Sequence, residues 1–393
     1  MQFGDITSWI FWIILLFFLS FFGPRLMLAQ YLLKLERFTQ VLEKRSLKGK
    51  SYILKKLGKP NLKIRRKVSN FLDFFVIKPV SLDPFGIIEK LEHIINLSEK
   101  RMKSFVKSIA PNLNSEEQAN LCMGLSAAIS LHQLAKLMRH YVELIKKTKN
   151  LQLALLLQMQ FPLVDKISKA LVKGTEALTN GWSIGDSIGS LVVGDLIGNS
   201  KWIERDETII CRKKIDGKNV ILIKAKGPGG RIGKIGRVVE KILKKERISR
   251  IITIDAAVKL EGEKTGSIAE GVGVAMGGIG TDRAFIENIA VRKKIPLTSI
   301  IIKMSSEEAI QPMKMEILNA EEKVIDLIKE NLRNSKGKVL IVGVGNSCGV
   351  GNSKKEIENS KRKIREIAEI MKRREKIEKE KRKWSIFRFF ESL

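Results

Sequence analysis

The sequence predicts an α/β protein with an N-terminal transmembrane helix, an all-α middle region, a three-layer α/β domain with a largely parallel sheet, and a charged C-terminal helix. Three observations lead to this prediction. Residues 6–22 form an uncharged apolar segment, and residues 86–180 show helical periodicity with almost no strand pattern. From Gly181 onwards, short β-rich segments alternate with helical ones, which is typical of a layered α/β domain.

The apolar segment near the N-terminus, ITSWIFWIILLFFLSFF, is the predicted membrane anchor. Its 17 residues carry no charge, which is the short end of the range for a membrane-spanning helix. Eight aromatic residues within residues 3–22, with no polar face, argue against the alternative of a buried helix in a soluble protein. A cleaved signal peptide would begin with basic residues, whereas Asp5 precedes this segment.

The charges on the two sides of the anchor predict its orientation. Asp5 lies before it, and five basic residues follow it: Arg25, Lys34, Arg37, Lys44 and Arg45. Because positively charged segments stay on the cytoplasmic side, we expect a single-pass protein of the cell membrane with its N-terminus outside and its main domains in the cytoplasm.

The rest of the chain divides into four further regions by composition and periodicity. The anchor occupies residues 1–31, and a basic linker, broken by prolines and partly helical, occupies residues 32–85. A helical domain at 86–180 and an α/β domain at 181–353 follow, and residues 354–393 form a charged helical tail with an aromatic end. The apolar run at 151–164 is predicted to be a buried core helix, because it is too short to be a second membrane span.

The formal net charge of +30 is concentrated on two flanks of the chain. Residues 32–80 hold 14 basic and 3 acidic residues, and residues 354–393 hold 15 and 8. Such flanks suit contact with anionic lipid or nucleic acid, although a solvated face would have the same composition. The aromatic end of the tail suits contact with a membrane surface, or a hydrophobic clip onto the α/β domain.

Cysteine and histidine usage limits the chemistry available to this protein. Cys122, Cys211 and Cys348 form no CxxC pair, which indicates neither a disulfide framework nor a zinc site and favours a reducing compartment. All three histidines lie before residue 181, so the α/β domain contains none. We therefore expect no cofactor and no metal.

Several loops of the α/β domain carry candidate functional residues. Asp255 follows the short apolar strand at 251–254, and Asp186 lies in a glycine-containing loop before an apolar helix. Ligands of open α/β sheets bind at the carboxyl ends of strands, and helices expected to begin at Arg231 and Thr281 would offer backbone amides to an anion. Alternatively, Asp255 caps a turn and the glycines serve close packing. No phosphate-binding GxxxxGK[ST] motif is present.

The order of these motifs resembles that of the spore germination endopeptidases and the hydrogenase-maturing endopeptidases, which share one α/β fold. The resemblance covers about residues 181–303 and rests on Gly-Asp-x-x-Gly, Gly-Pro-Gly-Gly, Ile-Asp-Ala-Ala and Gly-Gly-x-Gly-x-x-Arg. It implies a hydrolase-like domain in which Asp186 and Asp255 are the catalytic pair. The candidate binding residues are Gly185, Gly189, Gly227, Gly229, Gly230, Gly277, Gly278, Arg283 and Asn346. The chain as a whole also resembles an archaeal membrane-anchored family known as a domain of unknown function.

Two departures from the endopeptidase pattern affect the expected mechanism. Ser190 stands where the germination enzymes have the proline of their first motif, and the histidine that helps the maturation enzymes to bind nickel has no counterpart here. The aspartate-pair chemistry therefore fits better, since two carboxyl groups in one cleft can serve as base and acid on a water molecule. Amides of the turn at 227–230 would then polarise the substrate carbonyl.

The segment KVLIVGVGNSCGVGNS, residues 338–353, suggests a circular permutation. In the endopeptidases that this chain resembles, a strand ending in Val-Gly-x-Gly-Asn precedes the first catalytic turn. Here that pattern occurs after the last helix of the domain, at Val342 to Asn346. We expect this strand to occupy the family's first slot in the sheet, with Asn346 beside Asp186 and Asp255. An edge position far from Asp255 would contradict the hypothesis.

Two functions from different classes follow from these patterns. The first is a membrane-tethered cytoplasmic hydrolase, an endopeptidase that uses the aspartate pair on a peptide or protein substrate. The second is a non-catalytic, membrane-anchored binding or scaffold protein whose basic flanks contact anionic lipid, nucleic acid or protein partners.

Overall fold

A helical bundle and an α/β domain follow one another along the chain in the computed structural model, which describes residues 3–77, 86–276 and 280–391. The bundle is formed by α1 (Phe3–Lys56), α2 (Leu62–Phe71), α3 (Ile87–Ile109), α4 (Ser115–Thr148), α5 (Leu151–Met159) and α6 (Phe161–Asn180).

The α/β domain begins with a single 3-10 turn, Gly185–Ser187. Its strands are β1 (Trp202–Arg205), β2 (Thr208–Ile215), β3 (Lys218–Ala225), β4 (Arg250–Val258), β5 (Ile268–Val272), β6 (Leu297–Met304) and β7 (Val339–Gly343). Its helices are α7 (Ile188–Ile197), α8 (Ile235–Lys245), α9 (Thr281–Arg292), α10 (Ser306–Ile310), α11 (Met315–Leu318), α12 (Glu321–Arg333) and α13 (Lys354–Glu391).

Helix α1 changes its surroundings along its length. Near its N-terminus Trp9 and Leu16 are 71% and 64% exposed, so that the apolar surface is open. Further along, Leu35 and Leu42 are fully buried against α4, α5 and α6. The segment predicted to be a basic linker is therefore largely helical and belongs to the bundle.

Two helices of the described residues are long and apolar enough to cross a membrane: α1 over Ser8–Lys56, and α4. Helix α4 is half-buried in the bundle, where it packs against α1 and α6. It is accordingly the core helix of the bundle. It begins with a capping box in which Asn114 and Glu117 bind each other's backbone amides.

The seven strands form one mixed sheet in the order β1-β2-β3-β7-β4-β6-β5. The prediction of a largely parallel sheet holds for only half of the strand pairings. The pairings β3–β7, β7–β4 and β4–β6 are parallel, and the pairings β1–β2, β2–β3 and β5–β6 are antiparallel. One antiparallel pairing is the hairpin of β2 and β3. Asp216 and Gly217 adopt the positive φ angles of 47° and 76° that a tight hairpin turn requires.

Strand β7 lies in the middle of this sheet, between β3 and β4. It joins the sheet from the end of the domain sequence, long after the strands on either side of it. The permutation hypothesis requires a central position beside β4 for this strand, and the sheet order meets that requirement.

Helices cover both faces of the sheet, so that the domain has two cores. Ile252 and Ile254 of β4 pack on one face with α7, α12 and α13, whereas Ile251 packs on the other face with α8 and α9. Helix α8 begins at Ile235, four residues later than expected, because residues 231–234 form a loop against the bundle.

The charged helix α13 packs against the α/β domain through the apolar residues on one of its faces. Ile357, Ile364 and Ile367 are buried, the first two of them in the core on the α7 side of the sheet. Two ion pairs then join α13 to α6: Arg374 with Glu176 and Glu375 with Lys173. The side-chain positions of the aromatic residues at the end of the tail lie outside what the structure describes.

Candidate functional site

Asp186 lies in the 3-10 turn that leads into α7. Its Oδ2 accepts a hydrogen bond of 2.9 Å from the backbone amide of Asn346. Although part of the residue reaches the surface, its carboxyl group packs closely against the chain at Gly345. Burial raises the pKa of Asp186, and the hydrogen bond from Asn346 opposes this effect only in part. The carboxyl group therefore holds its proton to higher pH than an exposed aspartate does.

Asp255 lies within β4 and not at its end, because β4 continues to Val258. Asp255 nevertheless lies directly after the last pair of residues that joins β4 to β7. The ladder between β4 and β7 ends at the pair Ile254 and Gly343, and the amide of Val344 then donates to the carbonyl of Ile254 at 2.9 Å. Asp255 is only 3% exposed, and its Oδ1 accepts from the amide of Ala256 at 2.7 Å.

The segment that follows β7 brings both aspartates to one edge of the sheet. Val344 contacts the backbone next to Asp255, and Asn346 contacts Asp186. Strand alternation places Asp255 on the α8 side, opposite to Ile254, whereas Asp186 enters from the α7 side. The two carboxyl groups therefore approach the edge formed by residues 344–346 from opposite faces of the sheet.

Two glycines make this close approach possible. At Gly189 of α7, a Cβ atom would lie 2.5 Å from the carbonyl oxygen of Ile254 and even closer to that of Val344. Gly345 has a φ angle of 104°, which favours glycine, and a Cβ there would collide with the carbonyl oxygen of Asp186. The candidate Gly189 is therefore required for the packing of α7 on β4 and β7.

The predicted binding residue Asn346 reaches the site with its backbone. Its side-chain Oδ1 accepts from the amide of Cys348 at 2.8 Å and so fixes its own loop. Cys348 is fully buried, and burial raises the pKa of its thiol to about 12, so this cysteine is not a reactive thiolate.

The amides of the glycine turn at 227–230 are already bonded to other parts of the chain. Gly229 donates to Oε2 of Glu116 and Gly230 donates to Oδ1 of Asn120, both at 2.7 Å, and these acceptors lie on α4. Gly227 exchanges two hydrogen bonds with the side chain of Asn352. The turn thus joins the bundle to the α/β domain, and a substrate carbonyl would have to displace these partners.

The remaining candidates lie elsewhere. Gly185 packs against the backbone of Glu308, where a side chain would collide with its carbonyl oxygen. Arg283 is half-exposed on α9 and pairs with Glu287 on the same helix. Gly277 and Gly278 lie outside the described residues.

A buried polar network surrounds the loop at 343–353, and its members were not among the residues predicted from the sequence. Lys224 is fully buried at the end of β3, where its Nζ donates to Oδ1 of Asn352 and to the carbonyl of Ala225, at 3.0 Å each. Burial lowers the pKa of Lys224 to about 7. Its only sequence signal is a lysine in an otherwise apolar strand, NVILIKA, and a lysine at such a position is usually exposed.

Arg231 and Ser347 complete the junction between the two regions. Arg231 is 7% exposed and forms a bidentate ion pair with Glu116 of α4, with N–O distances of 2.5 and 3.1 Å. The hydroxyl of Ser347 lies 2.7 Å from the carbonyl of Lys226 and 2.8 Å from that of Gly229. The glycine-rich segment at 343–353 therefore contacts α4, β3 and the turn at 227–230 at once.

A cavity of about 500 Å³ lies beside this junction, between α3, α4 and the loop at 230–234. Its apolar part includes Met102, Met123 and Cys122. Four basic and two acidic residues line the rest: Lys103, Lys107, Arg231, Lys234, Glu99 and Glu207. Asp186 and Asp255 are not among its lining residues.

These features define a class of protein: an α/β domain with a mixed sheet, joined by a buried polar junction to a helical bundle that begins with an apolar helix. Within that class the chain belongs to the DUF1512 family. A model of the N-terminal domain of this protein family of unknown function matches residues 9–181, and a model of its C-terminal domain matches residues 184–351. No curated protein and no solved structure matches the chain.

Proposed function

We propose that this protein is a membrane-tethered hydrolase-like protein that uses Asp186 and Asp255 on a peptide or protein substrate. The observation that supports this proposal is the central position of β7. From there the following loop contacts Asp186 through the amide of Asn346 and the backbone beside Asp255 through the amide of Val344. The peptide class of the substrate comes from the sequence resemblance to the endopeptidases.

The proposed chemistry divides the two carboxyl groups by role. Asp186, whose pKa is raised by burial, would carry a proton and donate it to the leaving amine. Asp255 would accept a proton from the water that attacks the substrate carbonyl. The proton taken up by one group and the proton given by the other balance over the reaction.

The tether is α1. Its open apolar surface supports insertion in a membrane, and the basic residues that follow support an orientation with the N-terminus outside and the two domains in the cytoplasm. Arg37 and other basic side chains near the membrane end of α1 are exposed, which supports contact of the flank at 32–80 with anionic lipid. The flank at 354–393 would offer a second basic surface to lipid or nucleic acid.

A second candidate function is that of a non-catalytic binding protein. Two observations favour it: the amides of Gly229 and Gly230 are bonded to α4, and the cavity of about 500 Å³ between the two regions has a typical ligand-site volume. The lining combines methionines with a net excess of two basic residues. This composition fits an amphiphilic anion.

The test compares the full chain with Asp186→Asn and Asp255→Asn, each reconstituted in lipid vesicles. Each preparation is incubated with a cytoplasmic extract, and new protein N-termini are counted by amine labelling and mass spectrometry. The hydrolase proposal expects new termini with the unaltered chain and a loss of at least about a hundredfold with either variant, since each removes a proton-transfer group.

Asp282→Asn is the matched control, because Asp282 also accepts a backbone amide, that of Gly236 at 2.8 Å, and burial also raises its pKa. It should keep the activity. Equal termini from the unaltered chain and both site variants would reject the hydrolase. In that case, release of an amphiphilic anion from the detergent-solubilised chain, before reconstitution, in native mass spectra would favour the binding protein.

A further inference from the structure

Helix α5 exposes an apolar stripe where a water-soluble surface would carry polar residues. Leu155, Leu156 and Met159 of α5 are 36%, 60% and 73% exposed, and Leu163, in the first turn of α6, is 51% exposed beside them. Within α5 the spacing of three to four residues puts Leu155, Leu156 and Met159 on one helical face. The opposite face, with Ala154 and Leu157, packs against α1. The residues at 151–164 are predicted to form a buried core helix, but only one side of α5 is buried.

The segment is also unusual in its lack of charge. Residues 150–164 contain no acidic or basic residue, in a chain of which 29% is charged. Single exposed leucines are common, whereas a contiguous stripe of four on an uncharged segment marks an interaction surface.

The neighbouring helix α1 indicates which surface covers this stripe. The aromatic ring of Phe161, just after α5, stacks on Phe38 of α1 at 4.2 Å between ring centroids. Phe38 follows the exposed apolar stretch of α1, which includes Leu26 and Met27, by about three helical turns. Leu28 of α1 also shares a buried cluster with Ala154 and Leu157, so α5 lies beside the part of α1 that directly follows the surface that would enter the membrane.

The α/β domain lies at the other end of the bundle. Glu116 and Asn120, at the start of α4, hold the turn at 227–230, and α5 follows the far end of α4 at Thr148. A helix of 34 residues is about 50 Å long. The end that carries α5 thus points away from the α/β domain and toward the exposed half of α1.

Basic residues accompany the stripe. Lys147 and Lys149, at the corner between α4 and α5, are exposed, as are Lys34 and Arg37 on the adjacent part of α1. Apolar side chains flanked by lysine and arginine are the pattern of a surface that lies in the headgroup region of an anionic bilayer.

We propose that α5 and the first turn of α6 dock on the anionic membrane that α1 spans, with Leu155, Leu156, Met159 and Leu163 in the interfacial layer. This inference rests on the proposed membrane tether. It adds a second attachment beside the anchor, which fixes the bundle upright and holds the α/β domain several tens of ångströms from the bilayer.

The experiment places an environment-sensitive fluorophore at single cysteines of the full chain in vesicles that contain phosphatidylglycerol. Cys122→Ser removes the partly exposed native thiol, and Cys211 and Cys348 are buried. Leu156→Cys is the test position, Phe11→Cys reports the anchor, and Ile203→Cys, an exposed apolar position on β1, is the matched control.

We expect spin-labelled lipids to quench the probes at positions 11 and 156 at least severalfold more than the probe at 203. We also expect quenching at 156 to weaken in vesicles of phosphatidylcholine alone. Quenching at 11 without quenching at 156 would overturn the docking of α5 and leave the tether intact. Absence of quenching at 11 would reject the tether and the docking together. Disulfide-linked dimers of the unlabelled Leu156→Cys chain, together with no lipid quenching of the labelled chain at 156, would assign the stripe to a second copy of the chain.

Discussion

At the scale of single residues, the buried amine of Lys224 is the group whose ionisation should affect stability most. Its side chain is fully buried below α7, next to Gly194 and Ile357, and its hydrogen-bond acceptors are Asn352 and the carbonyl of Ala225. Burial lowers the pKa of Lys224 from 10.5 to about 7. The folded protein therefore loses this proton at a much lower pH than the unfolded chain does.

Replacing Lys224 by methionine should change how stability depends on pH. Between about pH 7 and 10 the unfolded chain binds a proton at Lys224 that the folded protein does not, so the free energy of unfolding should rise with pH by roughly 1.4 kcal/mol per unit from this group. Below pH 7 both states are protonated, and the penalty is constant. Urea unfolding over this range should show that slope in the unaltered chain but not in Lys224→Met.

Lys201→Met is the control, because it removes one positive charge from an exposed position. Subtracting its curve from that of Lys224→Met isolates the buried amine from the general charge of the protein. Parallel curves for the two variants would show that Lys224 is protonated in the folded protein at all these pH values.

At the scale of elements, α7 depends on its contact with the ends of β4 and β7. The helix approaches them so closely at Gly189 that the carbonyl oxygens of Ile254 and Val344 occupy the space of a Cβ atom. The same approach places Asp186, three residues earlier, on the amide of Asn346. The packing of α7 on the sheet therefore also sets the position of Asp186 in the candidate site.

Gly189→Ala should lower the free energy of unfolding by about 3 kcal/mol or more, because backbone atoms on two strands would have to move. Gly271→Ala, at a position where no atom lies within 4 Å of a new Cβ, should change it by less than about 0.5 kcal/mol. Thermal unfolding of both variants measures the difference. Equal stabilities would mean that α7 can move away from the sheet at little cost.

Elements defined by local sequence were predictable, and those defined by distant pairing were not. The hairpin of β2 and β3 follows from Asp216 and Gly217, and the start of α4 follows from Asn114 and Glu117. The antiparallel pairing of β5 with β6 depends on contacts that no local pattern records. The packing of residues 32–56 into the bundle was missed because charges dominate that segment, while Leu35, Leu42 and Ile53 supply its buried face.

In the candidate site, too, residues beside local sequence patterns were predictable, whereas contacts between distant parts of the chain were not. Asp186 and Asp255 could be selected from the sequence because each stands beside an apolar element, and the Val-Gly-x-Gly-Asn pattern indicated that β7 belongs next to them. The partners of the turn at 227–230 could not be selected, since Glu116 and Asn120 lie more than a hundred residues earlier on a helix. Arg231, expected to begin a helix, was missed as an ion-pair partner for the same reason.

At the scale of the whole molecule, the ion pair of Arg231 and Glu116 couples the bundle to the α/β domain. Burial alone would raise the pKa of Glu116, but the hydrogen bonds and the charge of Arg231 outweigh it, so the pKa is lowered. A carboxylate of this kind stabilises the fold at all pH values above its unfolded pKa of about 4.3, and the contribution is lost as pH falls through the lower folded value. The coupling is therefore at full strength at neutral pH.

Arg231→Ala should uncouple the two regions. Because it leaves the partly buried Glu116 with only the amide of Gly229, it should lower the free energy of unfolding by about 3 kcal/mol at pH 7 and divide one calorimetric transition into two. The difference from the unaltered chain should shrink as pH falls below the unfolded pKa of about 4.3 and through the lower folded value. Lys103→Ala removes an exposed ion pair with Glu207 across the same junction and should cost less than about 1 kcal/mol. If Arg231→Ala melts in a single transition no lower than that of Lys103→Ala, the junction is held by the backbone contacts of residues 343–353 and not by this ion pair.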